Sequence, residues 1–222
     1  MVVVALDIET CPLPVEDISA PHTRRFEKEL AREQERNPEY SDQEASKRVR
    51  SFHPYLGWVC CVSVVRGTLG SGHRDPHSWT ASTPDEEESL LSEFWEGVGE
   101  VTAGVAKSRQ ELVWATFNGK EFDVPFLTAR SAHHGLSPTN QDLLDSYPYG
   151  HKPHADLAKI WPSHYSLDDM CSHLGVSSPK EGIDGSDVAE AVADGRLNEV
   201  RSYCERDTVA TFQCLSGVQW AL

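Results

Sequence analysis

The chain opens on Val2-Val3-Val4-Ala5-Leu6-Asp7-Ile8-Glu9-Thr10, an apolar run rich in β-branched residues that ends in two acids. The run reads as a buried strand. Side chains alternate along a strand, so Asp7 and Glu9 point to one side. Two carboxylates delivered to one spot at the end of a buried strand repel each other and resist desolvation. A bound cation is the usual compensation. The fold must therefore bring further ligands to this strand end.

With 222 residues the chain is long enough for one generous domain with a real core. No apolar run approaches membrane-spanning length, and the first strand has no basic flank of a signal peptide, so the expectation is a cytoplasmic protein with no membrane partner. The six cysteines form no C-x-x-C pair and read as reduced thiols. His151 and His154 make an H-x-x-H without the cysteines of a zinc set. The formal charge of −15 argues against broad attraction to a polyanion but leaves room for a local basic rim.

Pro12 and Pro14 end the first strand. Residues 17–50 are dense in Arg, Lys, Glu and Gln and read as an inserted, solvated helical segment broken near Asn37-Pro38. It is either a mobile insertion or an arm carrying Arg24, Arg25, Lys47, Arg48 and Arg50 toward a substrate. Residues 57–65 form a strand, and a further arm runs through Ser78-Trp79-Thr80. Thr83-Pro84-Asp85-Glu86 announces a helix through a capping box, with Leu90, Leu91, Phe94, Trp95 and Val98 on its apolar face. Residues 112–117 form another strand, closed by Asn118-Gly119, and a helix opens at Asp123. Residues 156–161 read as a short strand or helical turn. Helices follow over about 166–175, 187–193 and 197–215. This order fits an α/β fold, a mixed sheet flanked by helices, in a single domain over residues 1–222.

Two later places can complete the acidic site. Asp123 follows a strand's C-terminal end, where open α/β sheets gather ligands, although an N-cap role fits it equally. Tyr203 and Asp207 stand four residues apart on one helix face, which also suits a surface acid beside a core aromatic. Carboxylates favour Mg²⁺ or Mn²⁺. Two such ions can activate water and stabilise the leaving oxygen of a phosphodiester.

Asp7-Ile8-Glu9, Asn118-x-x-x-Phe122-Asp123 and Tyr203-x-x-x-Asp207 together resemble the three motifs of the DEDD superfamily of 3′–5′ exonucleases, and the last matches its tyrosine branch. The string from Phe117 to Leu127 is especially similar to the proofreading exonuclease domain of family B DNA polymerases. The resemblance implies a ribonuclease H-like fold and a two-metal-ion mechanism using Mg²⁺ or Mn²⁺. It implies Asp7, Glu9, Asp123 and Asp207 as metal ligands and Tyr203 as the residue that orients the attacking water. Asn118 and Phe122 would contact the terminal nucleotides, Thr10 the 3′ end, and Lys180, in a stretch similar to stand-alone relatives, a phosphate. The expected activity is removal of nucleoside 5′-monophosphates from single-stranded 3′ ends, DNA preferred and RNA the rival. A non-catalytic nucleic-acid-binding module is the alternative, and proofreading would require a polymerase or repair partner.

Overall fold

The computed structural model of the chain describes residues 1–148, 150–160 and 165–222. Its sheet has the order β3-β2-β1-β5-β6, built from β1 (Val2–Pro12), β2 (Gly57–Thr68), β3 (Gly72–His73), β5 (Leu112–Thr116) and β6 (His154–Asp156). The short β4 (His77–Thr80) also pairs with β2. β1 is antiparallel to β2 and parallel to β5, and β5 is parallel to β6. The mixed sheet with flanking helices is the α/β architecture expected from the sequence.

β1 runs through the middle of this sheet and outlasts its neighbour. Its pairing with β5 stops at Ala5↔Ala115, whereas its pairing with β2 continues to Pro12. Beyond Ala5, one edge of β1 is thus clear of strand, and the chain leaving β5 turns there into α4 (Asp123–His133). The register with β2 slips between Glu9 and Thr10, with Cys60 as the extra residue. Such bulges re-aim side chains beside functional sites.

Alternation along β1 divides the core. Val4, Leu6 and Ile8 pack on one face with α3 (Glu87–Lys107), α4 and α6 (Val188–Ala193). Val3 and Ala5 pack on the other with α5 (Leu167–Leu174) and the C-terminal half of α7 (Leu197–Gly217). Asp7 and Glu9 have the parity of Val3 and Ala5, so they come out on the α7 side.

The charged segment forms α1 (Ala20–Arg36) and α2 (Asp42–Ser51), separated at Asn37-Pro38 as expected. Ser41 and Glu44 close a capping box on α2, and Ala45 and Val49 are buried. Several local expectations are corrected. Thr83 makes no side-chain cap; Glu86 instead accepts the Ser82 N–H at 2.6 Å. Phe122, not Asp123, is the N-cap of α4. Residues 154–156 are strand and Leu157–Lys159 a 3-10 turn, while Trp161 lies outside the described residues. Arg50 leaves the basic rim: its guanidinium donates inward to the Leu13 carbonyl and to the Ser46 carbonyl.

Candidate active site

Each of the three motifs is delivered by a different piece of local structure. Asp7 and Glu9 sit where β1 has lost its parallel neighbour. Glu9 is 9% exposed and Asp7 partly exposed. Asp123, 3% exposed, is the first residue of α4. The amides of Asp123 itself and of Ile8 face its carboxylate, which ties it to β1. Tyr203 and Asp207 lie one helical turn apart on α7, and the Tyr203 hydroxyl interacts with the Asp207 carboxylate.

The turn that presents Asp123 is built residue by residue. Asn118 takes a left-handed backbone, φ 62°. Gly119 is required by contact, because a Cβ there would stand 2.4 Å from the Thr116 side chain. Asp156, buried at the end of β6, accepts the N–H groups of Asn118 at 2.7 Å, Lys120 at 3.1 Å and Ala158 at 3.1 Å. Lys120 turns inward and binds Asp145 at 3.1 Å and the carbonyls of Tyr147 and Gly150 at 2.6 and 3.0 Å. Sequence reasoning gave neither Lys120 nor Asp156 a role. The signal was present, since a lysine three residues before a candidate ligand cannot be a plain surface charge if the turn is buried.

The electrostatics of the four acids share one cause. Burial raises Asp7 well above the carboxylate range, and Asp123 and Asp207 raise it further. Burial likewise raises Glu9, with Asp7 and Asp207 adding to it. Asp123 is pushed up to about 8, mainly by burial, with Asp156 adding and the two amides opposing. Asp207 is pushed up to about 6 by burial, against the pull of Tyr203, Arg206 and Lys180. Burial, then Asp207, Glu9 and Asp7, drive the Tyr203 phenol far above its ordinary range. A cluster of acids that all resist ionisation is a site short of positive charge.

The donor set therefore fits a hard divalent cation. Asp7 and Glu9 can place ligand oxygens within 4.8 Å of each other and of the Cys204 sulfur. Among the described residues no other such His, Cys, Asp or Glu group occurs. The Cys204 thiol lies 3.4 Å from the Asp7 carbonyl and 3.5 Å from its carboxylate, a neighbour not foreseen from the sequence. His154 does not form a metal site with His151; it pairs with Thr116 at 2.8 Å, and burial lowers it to about 4.

The remaining sequence candidates are placed as follows. Phe122 is half-buried, with rings of Phe126 and Phe52 at 5.5 and 5.6 Å. The Thr10 hydroxyl donates to the Ser51 carbonyl at 2.7 Å, tying the metal strand to the end of α2. Lys180 is exposed, 3.4 Å from Asp168, and its charge reaches Asp207. Arg206, which the sequence did not single out, donates to the carbonyls of Pro179 at 3.0 Å and of Glu181. It holds the 179–185 loop over α7. A Cβ added to Gly185 would stand 3.8 Å from the Tyr203 hydroxyl.

Comparison with known structures places the fold. The chain superposes on the family B DNA polymerase from the hyperthermophilic archaeon Pyrobaculum calidifontis with a TM-score of 0.61 and 17% identity. The match covers 98% of this chain and 24% of that polymerase, so the chain spans about a quarter of its length. A search of curated proteins returns no match. The family model described as a predicted 3′-5′ exonuclease related to the exonuclease domain of PolB matches residues 53–219. That range contains Asp123, Tyr203 and Asp207; Asp7, Glu9, α1 and α2 precede it. The chain belongs to this family of predicted 3′–5′ exonucleases related to the exonuclease domain of PolB.

Proposed function

We propose that the chain is a metal-dependent 3′–5′ exonuclease that acts on single-stranded ends, DNA preferred over RNA, and releases nucleoside 5′-monophosphates. The observation that carries this reading is that Asp7 and Glu9 place ligand oxygens within 4.8 Å of each other, while burial and the charges of Asp123 and Asp207 raise their affinity for positive charge. Two Mg²⁺ or Mn²⁺ ions held there would neutralise the charge that develops on phosphate and lower the cost of ionising water.

The chain's own residues supply position. Asp7, Glu9, Asp123 and Asp207 would hold the ions, and Asp7 feels the charge of both Asp123 and Asp207. Tyr203 stays protonated, so it cannot serve as a base and instead holds the attacking water by hydrogen bond. The water oxygen forms the new bond to phosphorus, and the bond from phosphorus to the penultimate O3′ breaks. The proton ends on that O3′, which becomes the new 3′ hydroxyl. Phe122 stacks on a terminal base and Asn118 contacts the same nucleotides. Lys180 lies on the exposed flank of Asp207, suited to a phosphate.

The test is cleavage of 5′-labelled single-stranded DNA and RNA with Mg²⁺, Mn²⁺ or EDTA, beside Asp7→Asn and Asp207→Asn. A ladder of products shortened from the 3′ end, present with metal and lost in both variants, is expected. Faster shortening of RNA would transfer the substrate preference to RNA. Binding without cleavage under every metal would replace the enzyme with a binding module.

A further inference from the structure

α1 and α2 precede the family match, yet the end of α2 touches the neighbours of the first two motifs and faces that of the third across a groove. The Ser51 carbonyl accepts from Thr10, beside Glu9. The Phe52 ring lies 5.6 Å from Phe122, beside Asp123. A groove of ≈330 Å³ separates α2 from the chain at Gly185, whose open side faces Tyr203. Phe126, Phe122 and Phe52 thus form a file of rings that leads from the core to the surface, and Phe52 at its outer end is 55% exposed. The Arg48 guanidinium sits 5.0 Å over the Phe52 ring and also pairs with Glu33 at 2.9 Å. Lys47 lines the same wall.

We infer that Phe52, with Arg48 and Lys47, forms a stacking platform for the single-stranded segment just 5′ of the nucleotides held at Phe122. The inference rests on the nuclease reading for its substrate and extends it to a surface contributed by the end of α2. A base stacks on the exposed surface that the Phe52 ring and the Arg48 guanidinium above it present together, and such stacking is indifferent to sequence. The two walls of the groove differ in charge. Lys47 and Arg48 stand beside Glu44 on the α2 wall, while the charged groups opposite, Asp187 and Glu190, are both acids. Phosphates therefore track along α2 and are kept off the far wall, which gives the strand one path toward Tyr203. A chain of charge −15 would thus hold a polyanion by a local aromatic strip that carries Lys47 and Arg48.

The test is binding of a fluorescent ten-nucleotide single strand, as DNA and as RNA, to the full chain in EDTA at low salt. Phe52→Ala should weaken binding about tenfold, the range of one lost base stack, and Phe52→Tyr should stay within about twofold of the parent. Lys47→Ala should lower the slope of log affinity against log salt by about one. A blunt-ended duplex should be insensitive to Phe52. Unchanged binding by Phe52→Ala, or equal losses for Ala and Tyr, would overturn the platform, as would failure of the parent to bind the single strand. The nuclease reading fails separately: loss of cleavage with Phe52-dependent binding intact removes the enzyme and leaves the platform.

Discussion

Glu87 and Asp7 are both acids set among protein atoms, and the fold treats them in opposite ways. Glu87 is fully buried at the start of α3 and is surrounded by donors. Arg130 reaches it at 2.6 and 3.0 Å, His134 at 2.8 Å and the Val59 amide at 2.7 Å. Asp7 faces three other carboxylates and a thiol. The first acid ties α3, α4 and β2 together. The second is left in deficit, and a deficit at a sheet's carboxyl edge is what a cation site needs. Asp156 follows the Glu87 pattern with amides in place of a guanidinium. Acids that build the fold are met by cations or by three amides; those of the candidate site are met by two amides, a phenol or a thiol, too little to offset their burial.

The sharpest way to break this comparison is to remove one acid of each kind. Glu87→Ala would strand the buried Arg130 guanidinium and should cost about 3–5 kcal/mol, read as a fall in the urea midpoint. Asp7→Asn should do the reverse. It relieves repulsion, so metal-free stability should hold or rise by up to ~2 kcal/mol. Its cleavage rate should fall more than roughly 100-fold, since even an outer partner of a metal ligand is worth about 10–100-fold. Equal destabilisation by both variants would erase the distinction.

The second break uses pH. Asp123 at about 8 and Asp207 at about 6 lie above their ordinary value of 3.8, so the native state holds more protons than the unfolded chain between those limits. The contribution of these acids to metal-free stability should therefore be greatest in acid and decline as pH rises from about 4 through 8, opposed between about 4 and 6.5 by the buried His154. Divalent metal needs the ionised acids, so its stabilisation should grow with pH and reach about 2.7 kcal/mol at 100 times its Kd. Melting curves at pH 5.5 and 8 with Mn²⁺ or EDTA decide it. A metal-induced shift that is larger at pH 5.5 would refute the deficit.

Two smaller changes sharpen the picture. Tyr203→Phe keeps the ring and removes the hydroxyl beside Asp207; kcat should fall about 100-fold with KM little changed. Arg206→Ala leaves the carbonyls of Pro179 and Glu181 without their donor. It should cost roughly 1–2 kcal/mol and speed proteolysis of the 179–185 loop. If Arg206 instead served the acids directly, cleavage would fall while the loop kept its protection.

The legibility of the site follows from how each residue is specified. Asp7 and Glu9 were readable because β-branched residues set a strand whose alternation fixes their side. Tyr203 and Asp207 were readable because helical spacing puts them on one face. Lys120, Asp156 and Arg206 were not, because all their partners but the Ala158 amide lie 25 to 38 residues away and no local pattern joins a lysine to a distant carbonyl. Arg50 was misread for the same reason: a basic run on a charged helix looks solvated until Leu13 arrives beneath it.

The sequence by itself determined the elements, the three motifs and the family resemblance, since these rest on periodicity and spacing along the chain. Only the tertiary structure decided which acids are compensated. It ended β5 at Thr116 while β1 continued, and so left an edge where Asp123 meets Asp7 and Glu9. It also brought the end of α2, part of an ambiguous charged tract in the sequence, against Thr10 and Phe122. Charge balance is a property of what surrounds a side chain, and in this protein those surroundings come from residues far apart in the chain.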